Sequence, residues 1–118
     1  MNNLIEQLFA NYSVPFAFMF YREHAESYIT YQQTQIDTLF DAEDELQNYV
    51  DYYDIDIYSK SNYLQIIEDV KEIMKQGGFR WQPEMSSGDM YEEDTRYFHK
   101  TLCFSIIRTE ETNHIVSV

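Results

Sequence analysis

Apolar side chains recur at Leu4, Ile5, Leu8, Phe9 and Tyr12, one side of a 3.6-residue period, and predict a short amphipathic helix over 4–12. Pro15 ends it, because a proline disfavours helical geometry at the preceding Val14. The aromatic run 16–21, FAFMFY, reads as a strand, and the polar stretch 22–26 as a connection. Residues 27–34, SYITYQQT, alternate and carry Ile29, Thr30 and Tyr31, so a second strand is expected beside the first in hairpin fashion. The next segment, 35–47, is rich in acids and has no glycine or proline; it is read as a loop with at most one helical turn.

Residues 49–58, YVDYYDIDIY, sort by parity as strand geometry requires. One face carries Tyr49, Asp51, Tyr53, Ile55 and Ile57, and the other Val50, Tyr52, Asp54, Asp56 and Tyr58. The pattern predicts a strand with Ile55 and Ile57 on a core and Asp54 and Asp56 facing water. A helix is predicted over 62–76. Leu64, Ile67, Val70 and Met74, flanked by Ile66 and Ile73, form its apolar stripe. Ser61 or Asn62 is expected to cap it, with Gln65 completing a capping box. Lys71 and Lys75 suit its C-terminal dipole, and Gly77 and Gly78 supply the stop. Phe79–Met85 reads as a short strand that Pro83 places at an edge. A polar turn over 86–94 precedes a long strand, 95–110, expected to be central. That strand puts Phe98, Leu102, Phe104 and Ile106 on one face, and Tyr97, His99, Thr101, Cys103 and Ser105 on the other.

This order predicts an α+β fold of two layers. A mostly antiparallel or mixed sheet carries the 62–76 helix on one face, with the short N-terminal helix beside it. The expectation is one domain over 1–118, with 110–118 as a loose tail. The chain has 118 residues, 11 tyrosines and 8 phenylalanines, enough aromatic material for a core. A net charge of −13 repels phosphate backbones, so specific nucleic-acid binding is not expected. No run approaches the ~20 apolar residues of a membrane span, and the N-terminus lacks a signal-peptide pattern. An intracellular, membrane-free protein is the resulting expectation.

Motifs for chemistry are missing. His24, His99 and His114 are not spaced as ligands, and Cys103 has no second cysteine to share a zinc or a disulfide. Asp54 and Asp56 share a strand face, but no calcium-loop pattern follows them. No phosphate-binding glycine loop and no nucleophile elbow occur. No catalytic residue, metal or cofactor is therefore assigned, and the tyrosines are read as covering strand faces and subunit contacts.

Four segments in order nonetheless carry a resemblance. They are Tyr28–Tyr31 (YITY), Asp56–Ser59 (DIYS), a helix leaving through Gly78 and Phe79, and an acidic turn leading into Tyr97–His99. Over residues 12–108 the chain resembles the small tail-terminator, or tail-completion, proteins of long-tailed bacteriophages and prophages. The resemblance implies a structural, non-enzymatic virion protein. Such proteins form a ring, typically of six copies, that caps the tail tube, stops its growth and joins the tail to the head connector. Implied partners are other copies of the chain, the tail-tube protein and the head connector or stopper. The implied location is the host cytoplasm during assembly, then the virion neck. Another neck component and an acidic binding or inhibitor module stay open as alternatives. The acidic loops are the candidate assembly or lumen surfaces: Asp41, Glu43, Asp44 and Glu45 in one, Asp89, Glu92, Glu93 and Asp94 in the other.

Overall fold

The computed structural model describes residues 2–39 and 48–109. The chain runs α1 (Asn2–Leu8), β1 (Phe16–Phe18), β2 (Ser27–Leu39), β3 (Asn48–Ser59), α2 (Tyr63–Gln76), β4 (Arg80–Trp81), β5 (Met90–Glu92) and β6 (Tyr97–Thr109). A 3-10 turn, Pro83–Met85, lies between β4 and β5. The six strands form one sheet in the order β1-β2-β3-β6-β4, with β5 also pairing β6. All pairs are antiparallel except β1 with β2. Both helices pack on one face of the sheet, so the fold is α+β in two layers, as the element order predicts.

β3 is the organising strand. Every residue from Asn48 to Ser59 pairs with β6, and all but one stretch around a bulge pair evenly with β2. Along it burial alternates: Asp51, Tyr53, Ile55, Ile57 and Ser59 are buried, and their neighbours half-buried. The odd face meets Ile29 and Tyr31 of β2, Leu102 and Phe104 of β6, and Ile66, Ile67, Val70 and Met74 of α2. Ile5 and Phe9 fill the remaining space, with Phe9 stacked on Phe16 at 4.3 Å and Phe16 on Tyr31 at 4.9 Å.

Several expectations are corrected. β2 does not stop at 34. It continues to Leu39, and the predicted loop over 35–39 is strand. Its parity changes at a bulge, where Gln33 faces Tyr53 but Gln35 faces Tyr52, which leaves Thr34 as the extra residue. Pairing with β3 supplies the backbone partners that the polar sequence QQTQID conceals. The rest of the predicted loop, 40–47, lies outside the described residues, as does the predicted tail 110–118. α1 ends at Leu8, and Phe9 to Tyr12 continue as hydrogen-bonded turns. β1 is three residues, not six, because Met19 turns the chain with φ 67. Residues 19–26 then bring the chain back, so β1 lies parallel to β2, not in a hairpin.

α2 also departs from its expected details. Asn62 sits at φ 51 with no side-chain cap, so there is no capping box, and Gln65 instead donates to Asp69 at 2.8 Å. The buried stripe is Tyr63, Ile66, Ile67, Val70 and Met74. Leu64 is 71% exposed, because the stripe is centred one step round the helix from it. At the other end Gly77 packs closely against the Leu8 side chain of α1, which a Cβ there would push aside. Gly78 at φ 89 makes the left-handed turn. The predicted strand over Phe79–Met85 is only β4 plus the 3-10 turn that Pro83 opens. The predicted turn over 86–94 contains β5.

Truncating Ile55, fully buried in the sheet centre, to alanine is expected to cost about 2–5 kcal/mol. Leu64→Ala is expected to stay within ~0.5 kcal/mol. Urea denaturation followed by circular dichroism measures both, and equal effects would contradict this placement of the helix.

Candidate functional site

The helix-free face of the sheet is where sequence-distant motif residues meet. Tyr28 on β2, Tyr58 on β3 and His99 on β6 sit side by side because the strand register pairs them. Their rings stack: Tyr28 on Tyr58 at 4.6 Å and Tyr58 on His99 at 4.1 Å. Tyr21 extends the stack from the 19–26 segment, 5.1 Å from Tyr28. Tyr97 meets Tyr28 edge-on at 5.4 Å, and its hydroxyl donates to the carbonyl of Ala25, tying that segment to β6. Lys60 lies over the Tyr97 ring, 4.9 Å from its centroid. Burial, then the Asp56 charge, push the Tyr58 phenol up to about 12, so it is neutral at physiological pH.

Beside the stack runs a polar row. Asp56 accepts hydrogen bonds from the Thr101 hydroxyl and, at 3.2 Å, pairs with His99 Nε2. Glu92 Oε1 is 3.9 Å from Nδ1 of the same ring. Asp54 and Asp56 do not face open water as the alternation predicts; both are half-buried, since tyrosines and β6 side chains stand around them. Burial first, then the Asp56 charge, hold the Asp54 carboxyl above its ordinary value. Burial and Asp54 together push the Cys103 thiol up to about 11, which keeps it an unreactive thiol. His99 is thus a half-buried member of the row. Among the described residues no three of His, Cys, Asp and Glu gather in a way that could hold a metal ion.

Of the two predicted assembly loops, only the second lies among the described residues. Asp41, Glu43, Asp44 and Glu45 lie outside the described residues, but their flanks, Leu39 and Asn48, pair at one end. Asp89, Glu92, Glu93 and Asp94 cluster at the other, around β5 and the turn into β6. The strand length of β3 separates the two ends by roughly 40 Å. Asp89 accepts from the Tyr63 hydroxyl at 2.9 Å and from Lys100 Nζ at 3.3 Å. These two bonds, Tyr63's first, hold its carboxyl below the ordinary range. Glu92 accepts from the Thr95 hydroxyl at 3.0 Å. Asp89 and Glu92 therefore shape the turn, while Glu93 and Asp94 are free to meet solvent or another molecule.

Sequence reading missed an ion pair on the other face. Arg108 Nε lies 2.6 Å from Oδ2 of Asp51, which is 2% exposed, and its guanidinium covers the Tyr49 ring at 4.4 Å. Only the pairing of Tyr49 with Arg108 across β3 and β6 brings these charges together. No family model matches the chain, and a search of curated proteins finds no match. Among the described residues no helix is long and apolar enough to cross a membrane.

Asp54→Asn is expected to stabilise the fold at pH 7, by less than ~1 kcal/mol given its partial exposure. The sign follows from the raised pKa. The stability linked to this group is complete where the carboxyl is protonated and is lost as pH rises through its titration range. The gain should therefore vanish at acidic pH, and denaturation curves at pH 3 and 7 test it. Arg108→Met leaves the buried Asp51 carboxylate without its cation and should cost about 3–5 kcal/mol, while adding Asp51→Leu should restore most of that. Chemical denaturation of the single and double variants decides this, and a harmless single variant would show that the pair contributes nothing.

Proposed function

We propose that this protein is a structural ring component of a bacteriophage tail neck, of the tail-terminator kind, without catalytic activity. The observation that carries the reading is the convergence of its separated motifs. Three of the four resembling segments, around Tyr28, Tyr58 and Tyr97–His99, come from three strands and build one stacked ladder. The fourth, Gly78–Phe79, closes the helix onto the opposite face, where Phe79 meets Tyr53 at 6.1 Å. Motif residues that hold a sheet rigid, and not a reacting centre, are what a scaffold requires.

The net charge of −13 supports the same reading. A ring through which DNA passes works without sticking when its carboxylates repel phosphates. Its partners in this reading are further copies of the chain, the tail-tube protein on one side and the head connector on the other. It acts in the host cytoplasm during assembly and then in the virion.

Growing tail tubes with and without the purified protein, followed by electron microscopy, tests the proposal. Added protein should shorten the tubes and leave a ring at one end. Tubes of unchanged length with bare ends would overturn it, and binding to the portal-side connector alone would favour the neighbouring neck role.

A further inference from the structure

Both ring nitrogens of His99 face a carboxylate, and the two carboxylates stand on different strands. Nε2 lies 3.2 Å from Oδ1 of Asp56 on β3, and Nδ1 lies 3.9 Å from Oε1 of Glu92 on β5. The ring is held by stacking on Tyr58 at 4.1 Å. Glu92 is held as well. Its other oxygen, Oε2, accepts from the Thr95 hydroxyl at 3.0 Å, which leaves Oε1 toward the imidazole. A neutral imidazole carries one N–H and can serve one of these acids, whereas the protonated ring carries two and serves both.

We propose that His99 is a pH-operated clasp that holds the edge strand β5 to the sheet when protonated and releases it when neutral. The device stands whether or not the chain forms a ring. β5 is suited to release. It is three residues long, all exposed, and pairs with β6 only through Met90–His99, Tyr91–Phe98 and Glu92–Tyr97. A segment with so little buried surface lies at the low end of local stability. Its start is held from the helix side, where Asp89 accepts from Tyr63 of α2 and from Lys100. His99 is the tie on the helix-free face.

The geometry also selects the neutral tautomer. Asp56 is the nearer acid and the more enclosed, with 18% of its side chain exposed against 44% for Glu92. The single proton of a neutral ring therefore stays on Nε2, and Nδ1 turns its lone pair toward the Glu92 carboxylate, a repulsive contact. With β5 released, His99 keeps Asp56 and Tyr58, so Glu92 alone distinguishes the two states. Proton uptake and closure of β5 consequently favour each other. The tie is present at the acidic end of the range over which imidazole titrates and is lost as pH rises through it. From β3 the ring faces Asp56 and Tyr58, with Asp54 one step beyond Asp56. From β5 it faces Glu92, and along β6 its neighbours are Thr101 and Tyr97, whose ring carries Lys60. Tyr58, pushed up to about 12, stays neutral throughout.

Amide hydrogen exchange of the full chain at about pH 5.5 and about pH 8, corrected for the intrinsic exchange rate at each pH, tests the clasp. Protection of the β5 amides should be about threefold lower at the higher pH, the size expected of a partly exposed ion pair. Glu92→Gln keeps an acceptor for Thr95 and removes the charge from beside His99, so it should abolish the difference. His24→Gln, at an exposed position of the 19–26 segment, should leave the difference as it is. Nitrogen NMR of the imidazole should place the proton of the neutral ring on Nε2. Equal β5 protection at both pH values would overturn the proposal. So would a difference that survives in Glu92→Gln, one that disappears in His24→Gln, or a neutral ring protonated on Nδ1.

Discussion

The double pairing of β3 is the constraint on which the other elements depend. Its residues are held by β2 on one side and by β6 on the other, so its register sets the register of the whole central sheet. Side chains alternate with a period of two, and a slip of one residue would exchange the two faces. Ile55 and Ile57 would then stand on the exposed side, with Asp54 and Asp56 pressed against α2. Burying unpaired carboxylates there would cost several kcal/mol each, far more than a shifted ladder could return. The alternation of aspartate and isoleucine is thus a lock on register, and the acids contribute to the fold by where they cannot go.

The second face of the sheet shows how such acids are accommodated. It has no helix over it, yet it is not simply wetted. Tyrosines from neighbouring strands lie against one another and wall in Asp54, Asp56 and Cys103. The carboxylate of Asp56 is answered by Thr101 and His99, and that of Asp54 is only partly relieved by the Cys103 thiol. The thiol and the phenol are held protonated, and the imidazole is stacked on the Tyr58 ring with its Nε2 paired to the Asp56 carboxylate. A face built in this way is closely packed.

Much of this was legible in the sequence, and the rest was hidden for identifiable reasons. The parity of 49–58 and of 97–107 is a local property of extended chain, so both strands and their core faces could be read directly. The end of α2 was legible because glycine acts within one residue of where it stands. The strand character of 35–39 was not, since QIDTL has no apolar alternation and becomes strand only because β3 offers it partners. The polar stretch 86–94 hid β5 for the same reason. The exposure of Leu64 could not be seen either, because isoleucines on both flanks leave the angular centre of the stripe open until a sheet selects one side. Of the candidate site, Tyr28, Tyr58, Tyr97 and His99 were visible as motifs but not as neighbours.

By itself, then, the sequence determined the two helices and the long strands β3 and β6, the inward side of β3 and an acidic composition lacking any recognisable reaction motif. These depend on backbone period and on side-chain chemistry, which act over a few residues. Tertiary structure alone decided the strand order, the parallel placement of β1 and the pairing of Asp51 with Arg108. Each of those joins residues tens of positions apart. Such contacts are set by which surfaces must leave water together, a choice made by the folded chain as a whole.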